Sequence, residues 1–282
     1  MEIAILCGIG FLGGVIGSAL GVGGGFIIVP LLTLVLDLPM QVIIATSLLS
    51  ILATSATAAA HYIKLGFTNI RLAMFLEVAT IIGAVSCAFL AVHLTSAVLN
   101  VLFACLLVYA GYNMARRRHG AARDCPDTEA TEGDTSDGEG LLAGSFLDSC
   151  TGKVVYYRGE KLWGGMGASF LAGALSGLLG IGGGIVQVPA MNLLMRLPIK
   201  VVIGTSSFIM GITALGGALV YCLHGYVYPI VAAPVVIGAF LGSRAGSRIT
   251  PRVRGVTLER MFAALMIIAA AVMILRILGG TF

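Results

Sequence analysis

The chain has 282 residues, of which 58% are hydrophobic and 11% are charged, and it carries a formal net charge of +4. Soluble domains contain about 25% charged residues, so this composition excludes an ordinary soluble protein and predicts an integral membrane protein. The small positive charge is spread over short loops, which is typical of a membrane-orientation signal and not of a nucleic-acid-binding surface.

Cysteine and histidine residues are not spaced as metal ligands, because the six cysteines include no CxxC pair and the four histidines are scattered. We therefore expect neither a metal site nor a cofactor. Cys125 and Cys150 lie in the same polar stretch and could form a disulfide. Cytosolic thiols generally stay reduced, so we do not expect this bond. Only Glu2 precedes the first apolar run, a pattern that argues against a cleaved signal peptide.

Two long apolar halves flank a polar stretch. The acidic residues 124–140 cannot bury a core and predict disorder, whereas the mildly apolar residues 141–157 are expected to dock locally. We predict a first transmembrane repeat over residues 1–118, a polar, partly disordered cytoplasmic linker over 119–160, and a second transmembrane repeat over 161–282.

A glycine-rich motif occurs once in each half, as GVGGGFIIVP at residues 21–30 and as GIGGGIVQVP at residues 180–189. Four glycines in five positions cannot form a stable helix interior that faces lipid, so each motif predicts an interrupted helix. The apolar segments that follow, residues 26–36 and 185–195, would form helices of roughly 17 Å, too short to cross a hydrocarbon core of about 30 Å. We expect half-depth segments or a broken hairpin at each motif.

The two halves align without a gap when the chain is shifted by 159 residues. The glycine motifs coincide, and so do Thr46-Ser47 with Thr205-Ser206, and Tyr62 with Tyr221. Internal duplication of this kind is typical of secondary transporters. An odd number of segments in each half would turn the second half upside down relative to the first.

The basic residues favour this inverted arrangement. If the linker is cytoplasmic, the basic loops of both halves fall on the same side, and a parallel arrangement would place the four-arginine loop outside. These residues are Lys64, Arg71, Arg196, Lys200, Arg244, Arg248, Arg252 and Arg254. The predicted fold is therefore all-α and integral to the membrane, with two inverted repeats, glycine-interrupted helices near the midplane and both termini outside.

The glycines themselves have two interpretations. Backbone N–H groups at the start of a half-helix attract anions, and only glycine lets a ligand approach the backbone closely, which makes Gly23, Gly24, Gly25, Gly182, Gly183 and Gly184 candidate substrate-binding residues. Alternatively, small residues at four-residue spacing, as at Gly13, Gly17, Gly21 and Gly25, let helices pack closely.

Polar side chains near the motifs are further candidates. Thr46, Ser47, Thr205 and Ser206 recur in register and would converge near the midplane of an inverted repeat, although such hydroxyls often only bond to their own helix. Gln187 could add an amide donor. Glu77 is the lone carboxylate well inside an apolar run and is a candidate for proton coupling, unless it lies at the cytoplasmic interface near Arg71.

In its doubled Gly-x-Gly-Gly-Gly motif, the proline five residues later, the Leu-Pro turn and the following Thr-Ser pair, the chain resembles the TauE/SafE family of sulfite exporters. The resemblance covers both apolar halves but not the linker. It implies a multi-pass permease of the plasma membrane, bacterial or eukaryotic, that moves small anions such as sulfite or sulfonates; family members differ in substrate.

The predicted function is secondary transport of a small anion by alternating access. The expected surroundings are the lipid bilayer, no nucleic-acid partner is expected, and the sequence leaves open whether the protein forms a homodimer. A passive anion channel and a non-transporting membrane scaffold are the alternatives. An enzyme is not expected, because the sequence shows no nucleophile, base and acid set.

Overall fold

The structure, a computed structural model, describes residues 2–36, 38–116, 143–147, 154–158 and 161–249. These ranges form nine α-helices and a two-stranded antiparallel sheet. The elements are α1 (Glu2–Leu20), α2 (Gly25–Val35), α3 (Met40–Lys64), α4 (Ile70–His93), α5 (Ser96–Arg116), β1 (Ala143–Leu147), β2 (Val154–Arg158), α6 (Leu162–Leu179), α7 (Gly184–Leu193), α8 (Ile199–Leu223) and α9 (Pro229–Ile249). The acidic segment 124–140, Cys125, Cys150, Arg252, Arg254 and the end of the second repeat lie outside the described residues.

Six helices in the described part of the chain, α1, α3, α4, α6, α8 and α9, are long and apolar enough to cross a membrane. They carry many large apolar side chains on exposed surfaces, such as Met74, Leu215 and Ile237, which suits contact with lipid. This confirms the predicted integral membrane fold. Within the described residues, the short hairpin of β1 and β2 departs from an entirely helical fold.

Each glycine motif ends one helix and starts the next. Gly21, Gly23 and Gly24 have φ values of 64°, 84° and 81°, in the left-handed region that glycine reaches without steric cost. The chain turns back there: a Cβ on Gly17 would lie 2.2 Å from the amide nitrogen of Gly24, and one on Gly13 would overlap Ile28. Helix α2 therefore packs antiparallel against α1 as a short return segment.

Helices α3 and α8 cross at the centre of the molecule in antiparallel directions. Leu48 near the start of α3 lies against Gly217 near the end of α8, and Ser55 further along α3 lies against Gly211. The outer helices pair in the parallel sense, since Gly10 and Gly14 of α1 lie against Val235 and Ala239 of α9 respectively.

The 159-residue shift relates helices and their contacts. It maps α1 to α4 onto α6 to α9, while the counterpart of α5 falls outside the described residues. The same contact is repeated inside each half: the Tyr62 hydroxyl donates to the Ser18 carbonyl at 2.8 Å, and the Tyr221 hydroxyl donates to the Gly177 carbonyl at 3.0 Å. The two halves thus share the same internal contact as well as the same order of helices.

Basic residues gather at one end of the bundle. This end contains the ends of α1, α3 and α9 and the starts of α4 and α8, because Ser18 of α1 lies against Tyr62 and Gly246, and Gly204 lies against Phe67. The start of α6 lies there too, since α6 packs parallel to α4, with Gly173 against Thr80 and Gly177 against Ala84. The basic end carries Lys64, Arg71, Lys161, Arg196, Lys200, Arg244 and Arg248. The opposite end carries Glu2, His93 and His224 and, among the described residues, no Lys or Arg.

The β-hairpin docks at the basic end through Tyr157. Its ring packs against two buried clusters, one with Leu72 and Val202 and the other with Tyr62 and Phe67. Its hydroxyl is hydrogen-bonded by the Asn69 side chain, and burial raises the pKa of the Tyr157 phenol.

Candidate functional site

The first glycine turn (residues 21–25) and the second glycine turn (residues 180–184) touch each other inside the bundle. A Cβ on Gly25 would lie 2.3 Å from the carbonyl oxygen of Gly180, and one on Gly184 would lie 3.0 Å from the carbonyl oxygen of Gly21. The starts of α2 and α7 therefore meet, one from each half, and all six candidate glycines fall in these two turns.

Two serines fasten the turns across the halves. The Ser47 hydroxyl donates to the Gly180 carbonyl at 2.7 Å, and the Ser206 hydroxyl donates to the Gly21 carbonyl at 2.9 Å. Carbonyls at the end of a helix lack partners within that helix, so a buried end needs a donor from elsewhere. Ser47 and Ser206 supply it, and their protons are engaged with the backbone in this structure.

Apolar side chains cover the glycine turns where the two halves meet. Ile51 approaches to 3.0 Å and the Met210 sulfur to 3.3 Å of a Cβ built on Gly23, and Ile51 likewise to 3.2 Å of one on Gly182. Both side chains are buried, and the 159-residue shift makes them equivalent. Sequence reasoning missed them because apolar residues in an apolar helix look like ordinary core; their equivalence under the shift was the available signal.

The two threonines lie apart. Thr205 accepts a hydrogen bond of 3.1 Å from the Asn69 backbone N–H, at the basic end. Thr46 lies near the start of α3, at the opposite end of the bundle. This end is identified by Gln41 of α3, which donates to the Leu94 carbonyl just after α4. Because α3 and α8 run antiparallel, the structure does not bring Thr46 and Thr205 together. The Thr46 hydroxyl is fully buried and has no hydrogen-bond partner.

Gln187 lies on α7, one turn beyond Gly183, and is 1% exposed. Its side-chain nitrogen has no hydrogen-bond partner. The equivalent position in the first half is Ile28, so the amide belongs to the second half alone. A buried donor without a partner costs free energy, so the Gln187 amide is available to donate to a bound ligand.

Glu77 is the eighth residue of α4 and faces α8. It is 5% exposed; the Thr213 hydroxyl donates to Oε1 at 3.0 Å, and Oε2 has no hydrogen-bond partner. The carboxyl is thus enclosed by protein. Within the described residues, no three His, Cys, Asp or Glu side chains are grouped to hold a metal ion.

In the part of the chain that the structure describes, six span-length helices, two short return helices and a buried junction between the halves define a multi-pass membrane protein. The sequence profile of the family described as "Sulfite exporter TauE/SafE" matches residues 6–273. The chain belongs to this family. The family match and the apolar helices together confirm the predicted multi-pass location in the plasma membrane.

Relatives of full length are known from bacteria and archaea. The chain is 28% identical over 275 residues to "Probable membrane transporter protein YunE" of Bacillus subtilis, covering 95% of this chain and 96% of the relative. It is 26% identical over 263 residues to "Probable membrane transporter protein MJ0441" of Methanocaldococcus jannaschii, covering 86% of each. No solved structure matches the chain significantly.

Proposed function

We propose that the protein is a secondary transporter that moves a small anion, of the sulfite or sulfonate class, by alternating access of its two halves. The observation that carries this proposal is the reciprocal fastening of the glycine turns, Ser47 to Gly180 and Ser206 to Gly21. It places the starts of two half-helices, one from each half, at a shared internal junction. The anion class rests on the family description.

The antiparallel crossing of α3 and α8 supports an inverted repeat. Equivalent helices related by an axis along the membrane normal would run parallel, whereas an axis in the membrane plane makes them antiparallel. The clustering of basic residues at one end supports a cytoplasmic position for that end, with the hairpin on the same side.

Neutral groups would hold the anion. Helix N-termini carry N–H groups without intrahelical acceptors and a partial positive charge, and Gly24, Gly25, Gly183 and Gly184 stand at those of α2 and α7. Of the candidate side chains, Thr46 and Gln187 have unpartnered buried polar atoms, whereas Ser47, Ser206 and Thr205 already bond to backbone. An anion reaches the turns only after Ile51 and Met210 move, which is the opening step of alternating access.

Flux into proteoliposomes that contain the full chain tests the proposal, with sulfite, sulfate, thiosulfate and sulfoacetate as the panel. Accumulation of a labelled anion by counterflow, without a conductance, is the expected result. No counterflow for any member, or an anion current in its place, would overturn the transporter proposal in favour of a scaffold or a channel.

The binding site is tested with Gln187→Ile, which installs the residue of the first half and lowers apparent anion affinity if the amide contacts substrate. Thr57→Val is the matched control, since the Thr57 hydroxyl bonds only to the Ala53 carbonyl of its own helix. Unchanged affinity in Gln187→Ile would remove Gln187 from the site. Gly24→Val is a poorer probe because a Cβ there would lie 2.2 Å from the Gly13 carbonyl oxygen.

A further inference from the structure

The correspondence between the halves under the 159-residue shift breaks at Glu77. In the first half the Thr54 hydroxyl donates to the Gly23 carbonyl at 3.1 Å and thereby holds the first glycine turn. The equivalent residue in the second half is Thr213, which donates to Glu77 Oε1 at 3.0 Å instead of to Gly182. The position equivalent to Glu77 is Val236, so only one half contains this competing acceptor.

The two threonine hydroxyls also differ in the carbonyl that each bonds within its own helix. The Thr54 hydroxyl also donates to the Ile51 carbonyl three residues back, whereas the Thr213 hydroxyl also donates to the Ile209 carbonyl four residues back. The Thr213 hydroxyl thus donates to Glu77, whereas the Thr54 hydroxyl donates to the glycine turn of its own half. The second glycine turn lacks the bond that the first one has.

Few ionisable groups surround this carboxyl. The helices packed against α4 are α6 and α8. Helix α6 has no ionisable side chain, and neither does α7, whose Met191 lies in the same apolar cluster as Leu76. The hairpin adds one ionisable group, the Tyr157 phenol, which packs against this cluster. The ionisable residues on α8 are Lys200, Tyr221 and Cys222, and those on α4 itself are Arg71, Cys87 and His93. Arg71 is the nearest of these in sequence, six residues before Glu77.

A proton fits the site better than a metal ion does. Hard cations take six or more oxygen ligands, whereas the one side chain that hydrogen-bonds the Glu77 carboxyl within the described residues is Thr213. The Thr80 hydroxyl donates to the Glu77 backbone carbonyl at 2.9 Å and is already used. An ionised carboxyl without a counter-charge is costly in such a site, and binding one proton at the unpartnered Oε2 neutralises it.

We propose that Glu77 and Thr213 form a proton-binding site that controls the second glycine turn and so couples proton movement to anion movement, which rests on the proposed transport function. Ionised Glu77 holds the Thr213 hydroxyl by a charge-assisted hydrogen bond, which is stronger than a neutral one. When a proton from the aqueous phase binds Oε2, this hold weakens and Thr213 turns to the Gly182 carbonyl, as Thr54 does to Gly23. Release of the proton reverses the step.

An infrared experiment tests the proton site without any substrate. The full chain in lipid is taken through a pH step, and the difference spectrum is recorded in the region of the protonated carboxyl stretch. We expect a band that Glu77→Gln abolishes, Thr213→Val shifts in frequency and Thr57→Val leaves unchanged. The proposal is overturned if wild type and Glu77→Gln give the same spectrum, or if Thr213→Val has no effect on the band.

Transport then tests the coupling. For thiosulfate, which does not buffer near neutral pH, wild type should accumulate the anion in response to a pH gradient. Glu77→Gln should lose the gradient response but retain anion counterflow, and Thr213→Val should weaken the response. Gradient-driven accumulation by Glu77→Gln at the wild-type level would refute the coupling. Absence of all counterflow in wild type would instead refute the proposed function, and the infrared result would still decide the proton site.

Discussion

The Ser47 hydroxyl lies 2.7 Å from the carbonyl oxygen of Gly180, 133 residues further along the chain, and Ser206 repeats this bond with Gly21 at 2.9 Å. Each half therefore completes the backbone hydrogen bonding of the glycine turn in the other half. The Ser47 and Ser206 hydroxyls therefore link the two halves and also lie beside the proposed anion site.

Removal of either hydroxyl should destabilise the protein. Ser47→Ala or Ser206→Ala leaves a buried carbonyl without its donor, and we expect each to lower the free energy of unfolding by about 1–3 kcal/mol. Denaturant unfolding in mixed micelles measures the effect. Thr57→Val, which removes a bond within one helix, is the control, and a Ser47→Ala cost no larger than that of the control would contradict the assigned role.

Glycine positions on α1 should separate into two classes. A Cβ on Gly14 would lie 2.2 Å from the Ala239 carbonyl oxygen, whereas one on Gly8 has nothing within 4 Å. Gly14→Ala must push α1 from α9 and should destabilise the protein. Gly8→Ala should stabilise helix α1 by up to about 1 kcal/mol, because alanine is the better helix former. The midpoints of thermal unfolding of the two variants are compared under the same conditions. Equal midpoints would disprove the close packing of α1 and α9.

Features that depend only on neighbouring residues could be predicted from the sequence, whereas contacts between distant helices could not. The breaks at residues 21–24 and 180–183 could be predicted because clustered glycine is incompatible with a helix whatever surrounds it. The acceptors of Ser47 and Ser206 could not, since they depend on how two helices cross. The same holds for Thr46 and Thr205: equivalence in sequence suggested convergence, but two residues on antiparallel helices meet only near the crossing point. Whether any of these residues contacts substrate stays a prediction.

Truncation of the apolar cover should expose the glycine turns. Met210→Ala removes a buried side chain that contacts both turns and should cost about 2–5 kcal/mol through the cavity that it leaves. Met210→Ile introduces the residue of the equivalent position in the first half and should cost less. Unfolding midpoints in detergent compare the two variants. If Met210→Ala proved as stable as Met210→Ile, the side chain would not fill the space between the turns.

Docking of the β-hairpin should weaken at alkaline pH. Burial raises the pKa of the Tyr157 phenol above its ordinary value of 10.0, and the hydrogen bond from Asn69 opposes part of this shift. The docked state therefore favours the neutral phenol, so its stability is complete below pH 10.0 and declines as pH rises toward and through the raised pKa. Limited proteolysis of the linker across alkaline pH measures docking. Tyr157→Phe should abolish the pH dependence, and an unchanged profile in that variant would exclude Tyr157 as its origin.

The proposed inverted repeat predicts that equivalent positions lie on opposite sides of the membrane. Lys64 and Leu223 are related by the 159-residue shift; both are exposed, at the ends of α3 and α8 respectively. In a background with the six native cysteines replaced, Lys64→Cys should react with a membrane-impermeant thiol reagent only from the cytoplasmic side, where basic loops concentrate. Leu223→Cys should react only from the opposite side. If both cysteines were labelled from the same side, the result would support a parallel repeat. It would also contradict the assignment of the basic end to one face of the membrane.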